Sequence, residues 1–287
     1  MAMTLIQGNF RVIKAAPDGD SIRFYPHDPE QWEKLPTQVR PNRTGGVQLR
    51  LDSIDSLETH FQTRGGIGIQ HQPLEFAHSA ASELLKFFGF KKISRSANEV
   101  VTTAEPEEVP GFILTRFADK YGRAVAFAFK GSSDEEDGSS IYLDKSLLKK
   151  SANYHVLAKG LAYPTFYSKL YPDIRKELVN ISEKARKENK GLWAVDKTNQ
   201  GFLLEDLETI TDNIVILPKL FRRLIGYLAI NDGSVSLDGF SKYLKSLNDR
   251  LVILPEGHIT GFDFVVKVDG QNIKLTTKPE DLIFLEK

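Results

Sequence analysis

Three short motifs carry the charged residues of this chain whose types and spacing could do chemistry. They are DGDS at residues 18–21, RLDSIDSLE at residues 50–58 and DKYGR at residues 119–123. Carboxylates bind hard divalent cations, and arginines fork onto phosphate oxygens, so this order of charges suits phosphodiester cleavage. Each motif alone is common in turns and on solvated faces. The candidate residues are Asp20, Arg50, Asp55, Glu58 and Arg123.

Strands joined by tight turns are predicted to position these motifs. Alternating polar and apolar residues predict two hairpins and a single strand. The first hairpin runs from Phe10 to Phe24, the strand covers residues 47–51, and the second hairpin runs from Phe112 to Phe129. All five candidates then lie at strand ends, where the loops of one rim could bring them together.

The spacing of Arg50 and Asp55 makes a further structural demand. Residues five apart in a regular strand face opposite sides of the sheet. The strand must therefore bend or end around Ser53 and Ile54, which leaves residues 55–58 on the loop beyond it.

Helices are predicted chiefly in the second half of the chain. Apolar stripes at helical spacing predict helices over residues 74–88, 145–159, 173–190, 203–210, 217–230 and 236–247. Ser236 or Asp238 is the predicted cap of the last helix. A third hairpin is predicted from Phe262 to Leu275, around Asp269 and Gly270.

The three motifs, in this order, resemble those of the staphylococcal nuclease (thermonuclease) family. The resemblance extends over roughly residues 8–196, and it includes GLA at 160–162 and the helix that ends in GLW at 191–193. It implies a mainly β plus α fold, with a five-stranded barrel of the oligonucleotide-binding (OB) type and three helices, over residues 1–198. Residues 199–287 lie outside it and are predicted to form a small α+β domain of unknown function.

The resemblance implies a Ca²⁺-dependent endonuclease without sequence preference, which hydrolyses DNA and RNA and leaves 3′-phosphate ends. Asp20, Asp55 and the backbone carbonyl of Ser56 are the expected Ca²⁺ ligands, and oxygen donors are what this ion takes. Glu58 is the expected general base that removes a proton from the attacking water.

Two groups of residues are expected to contact the substrate. Arg50 and Arg123 would bind phosphate oxygens bidentately, which lysine cannot do. The other expected contacts are Tyr163, Phe166 and Tyr167, which match the family only approximately, and Lys120 and Tyr121, which match it better.

The chain departs from the family pattern in two places. Leu57 stands where the family usually has proline, so the loop that enters Glu58 is less rigid. The segment between Asp20 and Arg50 is about twice the usual length, which makes residues 25–46 an insertion. Its Trp32, Arg40 and Arg43 could extend the substrate groove or lie on a solvated surface loop.

Composition excludes several classes of protein. The 38 basic and 38 acidic residues cancel, so nucleic acid must be held locally by a few arginines rather than by a broad basic surface. The absence of cysteine excludes disulfides and thiol chemistry. No apolar run is long enough to span a membrane, so no membrane association is expected. The first residues lack the features of a signal peptide, which favours the cytoplasm by default.

Two alternatives to a nuclease remain open. The chain could be a catalytically silent nucleic-acid-binding or scaffold module, although its five charged residues favour an enzyme. Residues 199–287 could instead be the functional part, with the barrel as a support. This segment has 10 Lys and Arg against 13 Asp and Glu, so packing on the barrel or binding a protein partner is expected rather than binding DNA.

Overall fold

The structure, a computed structural model, describes residues 2–63, 66–231 and 234–286. The N-terminal part is built mainly from strands. They are β1 (Ala2–Arg11), β2 (Ser21–Pro26), β3 (Val47–Leu51), β4 (Ile54–Asp55), β5 (Phe61–Gln62), β6 (Ile69–Gln70), β7 (Lys91–Arg95), β8 (Val101–Glu105), β9 (Glu108–Ala118), β10 (Ala124–Lys130), β11 (Ser140–Tyr142), β12 (Tyr163–Pro164) and β13 (Phe166–Tyr167). Its helices are α1 (Leu74–Phe88), α2 (Lys145–Leu148), α3 (Ala152–Ala158) and α4 (Pro172–Lys187).

Five of these strands close into a barrel, as predicted. The order is β1-β2-β3-β10-β9, and β9 pairs back onto β1. The β3–β10 pair is parallel and the other pairs are antiparallel, so the barrel is mixed. Alternate residues of β3 are fully buried while Gln48 and Arg50 are only partly so, which is the pattern of a strand with one face on a core.

Helices cover the barrel much as the apolar stripes predict. Helix α1 ends at Gly89, which takes the left-handed conformation that glycine adopts without strain (φ 104°). Helix α4 begins at Pro172, where the missing N–H costs nothing. The single helix predicted over residues 145–159 is wrong. The chain forms two short helices there because the Ser151 side chain caps a new one by accepting from the Tyr154 N–H.

The insertion at residues 25–46 packs on the barrel. A 3₁₀ turn over Pro29–Lys34 brings the Trp32 ring against Phe24, with ring centroids 6.4 Å apart and nearly perpendicular planes. Trp32 is buried, whereas Arg40 and Arg43 are exposed. The insertion therefore adds apolar surface to the barrel core and leaves its two arginines in water.

The C-terminal part combines short helices with two small sheets. Its elements are β14 (Phe202–Leu203), α5 (Pro218–Leu228), α6 (Phe240–Leu247), β15 (Arg250–Ile253), β16 (His258–Gly261), α7 (Phe262–Val265), β17 (Val266–Asp269), β18 (Asn272–Leu275) and β19 (Leu282–Phe284). Strands β13, β19, β15 and β16 form one sheet, and β14, β18 and β17 form the other. The α+β composition expected of this part is confirmed.

Several local predictions in the C-terminal part are wrong. Residues 203–210 are not a helix: a strand and a π-helical turn over Thr209–Asn213 replace it, and the Asp206 carboxylate accepts from the Thr209 N–H before that turn. Helix α6 begins after Gly239, with no side-chain cap from Ser236 or Asp238. The predicted hairpin starts four residues late, because residues 262–265 form a helical turn.

The two parts of the chain share an apolar core. Leu57, Tyr163 and Trp193 of the N-terminal part pack in the same cluster as Leu217 and Phe221. Strand β19 adds in parallel to β13, and Arg186 pairs with Glu280 at 2.9 Å. The division of the chain at residues 198 and 199 stays a prediction. Among the described residues, the helices are too short or too polar to cross a lipid bilayer.

Candidate active site

The bend predicted between Arg50 and Asp55 is confirmed. Strand β3 ends at Leu51, Ser53 adopts a positive φ of 69°, and Ile54–Asp55 start a new strand. That strand pairs with β12, where Tyr163 lies opposite Asp55. The pairing fixes Asp55, whose side chain is only 3% exposed.

Asp20 reaches the same place from the first turn. Its backbone carbonyl accepts from the Leu51 N–H at 2.8 Å, and its Oδ2 accepts from the Ser56 N–H at 3.3 Å. The turn packs so tightly that a Cβ at Gly19 would lie 2.7 Å from the Ser56 Cβ, which explains the glycine. Asp20 and the loop after Asp55 are thus joined directly.

Glu58 is held by a residue that sequence reasoning missed. The Gln72 side-chain oxygen accepts from the Glu58 N–H at 3.3 Å, and the Gln72 N–H donates to the Glu58 carbonyl at 2.9 Å. The amide nitrogen of Gln72 donates in turn to the carbonyl of Ile216 at 2.8 Å. Gln72 is fully buried, so it links the Glu58 loop to the C-terminal part.

Arg222, from helix α5, lies directly on the acidic residues. Its Nη1 donates to Asp55 Oδ1 at 3.1 Å and to Glu58 Oε1 at 2.5 Å, and its Nη2 donates to Asp55 Oδ2 at 2.8 Å. Both carboxylate oxygens of Asp55 are therefore bound by one guanidinium. Sequence reasoning missed this residue, and its signal was slight: adjacent arginines in an otherwise apolar helix.

Burial and neighbouring charges raise the pKa values of two acids at this site, Asp20 and Glu58. Burial raises the pKa of Asp20 well above its usual range, and the charges of Asp18, Asp55 and Glu58 add to that effect. Burial also raises the pKa of Glu58, although Arg222 opposes the shift. The pKa of Arg222 is raised because its two carboxylate partners outweigh the cost of its burial. The guanidinium therefore stays charged and balances the acids.

Arg50 faces the same cluster. Its guanidinium lies over the ring of Tyr167, 4.9 Å from the ring centroid. The centroid of that ring lies 5.9 Å from the ring centroid of Phe284 in the C-terminal part. Burial lowers the pKa of Arg50, but Tyr167, Asp55 and Asp20 outweigh burial and raise it overall. The structure thus brings Arg50 together with Asp20, Asp55 and Glu58.

Arg123 lies on the second hairpin and pairs with Asp119 instead. The Arg123 Nε donates to Asp119 Oδ2 at 2.8 Å, and the Arg123 side chain is 37% exposed. Its guanidinium also lies 5.6 Å from the ring centroid of Tyr121, and Lys120 contacts the same exposed ring. Lys120, Tyr121 and Arg123 therefore form a basic and aromatic surface that is open to water.

Two of the aromatic residues predicted to contact the substrate have no exposed ring face. Tyr163 is fully buried, with its hydroxyl donating to Asp196 Oδ1 at 2.6 Å, and Phe166 is fully buried in the barrel core. The structure corrects their predicted role, because a ring without exposed surface cannot stack on a base. Tyr167 remains partly exposed, but its ring lies against Arg50.

A comparison with known families bears on this geometry. The sequence model described as staphylococcal nuclease homologue matches residues 48–195, slightly more than half of the chain. The chain belongs to the staphylococcal nuclease family. The matched region contains Arg50, Asp55, Glu58 and Arg123, whereas Asp20 and Arg222 lie outside it. No curated protein sequence matches the chain.

With Arg222 on Asp55, the folded site does not accept the Ca²⁺ ion that this family typically uses. The donors have the right chemistry, since Asp20, Asp55 and the Ser56 carbonyl are hard oxygen ligands. However, Arg222 engages both oxygens of Asp55. Within the described residues, no group of three or more His, Cys, Asp or Glu side chains is arranged to hold a metal ion. A guanidinium, rather than a metal site, is what these acids surround.

Proposed function

We propose that this protein is a nuclease that hydrolyses phosphodiester bonds in DNA and RNA without sequence preference and leaves 3′-phosphate ends. One observation carries the proposal: Asp20, Arg50, Asp55 and Glu58 meet at one end of the barrel in a chain of the staphylococcal nuclease family. Surface strands of unrelated function would not need to gather this many fully or partly buried charges in one place.

The chain's own residues supply three functions in this proposal. Glu58 accepts a proton from the attacking water, a role that suits a carboxylate whose pKa is raised by burial. Arg50 and Arg123 bind the phosphate and stabilise the negative charge that develops on its oxygens. Lys120 and Tyr121 extend this contact along the substrate, where base stacking and phosphate pairing tolerate any sequence.

Ca²⁺ is the proposed cofactor, with Asp20, Asp55 and the Ser56 carbonyl as its proposed ligands. When bound, such an ion neutralises charge on the phosphate and activates water. These ligands become available only when Arg222 leaves Asp55. A protein partner bound through residues 199–287 and a cytoplasmic location stay predictions.

Purified protein incubated with supercoiled plasmid, single-stranded DNA or RNA tests the proposal. Cleavage of all three substrates in Ca²⁺, its loss in chelator, and 3′-phosphate ends are the expected results. Glu58→Gln protein prepared in parallel controls for contaminating nucleases. Activity that persists in chelator would exclude the Ca²⁺ requirement, and equal activity of the variant would assign the cleavage to a contaminant or to another base.

A catalytically silent nucleic-acid-binding module is the second candidate. The observation that favours it is the pairing of Arg222 with both oxygens of Asp55 and with Oε1 of Glu58 in this conformation. It predicts oligonucleotide binding without cleavage by the wild type and by Arg222→Gln alike.

A further inference from the structure

The guanidinium of Arg222 is the positive charge that binds the acidic residues Asp55 and Glu58. Arg222 lies outside the region that matches the family. Its side chain is 22% exposed, while the side chains of Asp55 and Glu58 are 3% and 17% exposed. The ion pairs are therefore shielded from water on the carboxylate side. Shielding strengthens such pairs relative to those on an open surface.

The geometry of these pairs sets Arg222 in competition with any second cation on Asp55. The guanidinium fork uses both carboxylate oxygens, and it also binds Glu58 through Nη1. A divalent ion would need the same oxygens and would lie next to the positive charge of Arg222. Repulsion between the two cations at contact distance makes their binding mutually exclusive.

Helix α5 itself is firmly anchored. Leu220, Phe221 and Leu224 are fully buried in the core shared by both parts of the chain. The bond from Gln72 to the carbonyl of Ile216 holds the chain just before the helix. Release of the acids therefore calls for movement of the partly exposed Arg222 side chain rather than of the helix.

The next residue, Arg223, offers a contrast on the same helix. Its Nε donates to Asp249 Oδ2 at 2.7 Å, so it pairs within the C-terminal part. Both arginines form short charge-assisted bonds, but only the Arg222 pairs involve the predicted ligand and base. This pair of neighbours provides a matched control.

We propose that Arg222 is an internal counter-cation that blocks the acidic site, and that a divalent cation must displace its side chain from Asp55 and Glu58. The regulatory meaning of this block rests on the proposed nuclease function. The competition itself is a binding property, which can be measured without any cleavage.

Isothermal titration of full-length, chelator-treated protein with Ca²⁺ tests the competition. Arg222→Gln should bind Ca²⁺ more tightly than the wild type by about tenfold or more, equivalent to about 1.4 kcal/mol. Arg223→Gln should bind as the wild type does. Equal affinities of the wild type and Arg222→Gln, including the absence of binding in both, would overturn the proposal.

A second variant guards against misfolding of Arg222→Gln, which leaves buried carboxylates without their partner. Arg222→Lys keeps the charge but loses the fork, so its affinity for Ca²⁺ should lie between those of the wild type and Arg222→Gln. Near-ultraviolet circular dichroism checks that each variant is folded. A folded Arg222→Lys that binds Ca²⁺ no more tightly than the wild type would contradict the inference.

Cleavage assays on the same proteins separate this inference from the proposed function. Tighter Ca²⁺ binding by Arg222→Gln without cleavage by any form would support the competition and overturn the nuclease assignment. Ca²⁺-dependent cleavage by the wild type, with unchanged Ca²⁺ affinity in Arg222→Gln, would support the nuclease function and overturn the competition.

Discussion

The two sides of the candidate site differ in how far their charged side chains are paired and exposed to water. On the acidic side, the buried Asp55 and the half-buried Glu58 are bound by Arg222. On the hairpin side, Arg123 pairs with its near neighbour Asp119 and stays partly exposed beside Tyr121. The side that would meet the phosphate chain is open, whereas the side that would activate water is closed. The C-terminal part makes this difference, because it supplies Arg222.

Removal of the proposed base should give the largest effect on the closed side. Glu58→Gln should lower the rate of DNA cleavage by roughly two or more orders of magnitude, the usual scale for loss of a general base. Single-turnover assays on a labelled oligonucleotide measure this rate, and circular dichroism controls for folding. A near wild-type rate would remove Glu58 from the role and direct attention to His60, whose Nδ1 lies 2.7 Å from the Thr59 hydroxyl.

Loss of Asp55, the second acid that Arg222 binds, should destabilise the fold. Asp55→Asn leaves the shielded Arg222 without its bidentate partner, so the free energy of unfolding should fall by about 3 kcal/mol. Urea denaturation measures the change. The double variant Asp55→Asn with Arg222→Gln should recover part of the loss, because the unpaired guanidinium is gone and only the partly exposed Glu58 lacks its partner. A loss below about 1 kcal/mol in the single variant would mean that the pair contributes no more than a surface ion pair.

The open side should respond in activity and not in stability. Arg123→Lys keeps the charge but cannot bind phosphate bidentately, so kcat/KM should fall by about tenfold. The free energy of unfolding should change by about 0.5 kcal/mol or less, since the pair with Asp119 is partly exposed. Steady-state kinetics and urea denaturation on one preparation test both statements. A variant that lost stability while keeping full activity would assign Arg123 a structural role.

A pH-dependent effect on stability is expected of Lys219, one turn before Arg222 and Arg223. Burial lowers the pKa of Lys219 to about 7, against the opposing charge of Asp249. Between about pH 7 and pH 10, Lys219 is therefore largely deprotonated in the folded chain and still protonated in the unfolded chain. Over this range Lys219 makes stability rise with pH, by at most about 1.4 kcal/mol per unit.

Lys219→Met should lack this contribution. The unfolding free energy of the wild type minus that of the variant should increase between pH 7 and pH 9 in urea denaturation. Asp249 keeps its pair with Arg223 in the variant, at 2.7 Å from the Arg223 Nε, which limits side effects. Parallel pH profiles for the two proteins would show that Lys219 titrates at its ordinary pKa when folded.

Local sequence signals were enough for the parts of the site that depend on strands and turns. The bend at Ser53 follows from the spacing of Arg50 and Asp55, and the positive φ of Ser53 confirms it. The hairpin before Arg123 follows from alternation and from a turn sequence. These features are decided by neighbours in the chain, so periodicity and turn chemistry suffice.

Long-range contacts explain what the sequence did not indicate. Arg222 contacts Asp55 from 167 residues further along the chain, and arginines on a helix usually lie on a solvated face. Tyr163 looks like a surface aromatic, but Asp196 and the shared apolar core bury it. The residues that pack on a helix or strand decide which of its faces is covered. A motif that ends before the C-terminal part therefore cannot indicate which of its residues that part will cover.

The concentration of Ca²⁺ that gives half-maximal cleavage of single-stranded DNA, compared between the wild type and Arg222→Gln, tests the central claim most directly. A nuclease site closed by an internal guanidinium predicts cleavage by both proteins, with half-maximal activity of Arg222→Gln at about one tenth of the wild-type Ca²⁺ concentration. Identical Ca²⁺ dependence of the two proteins, or cleavage by neither, would contradict it.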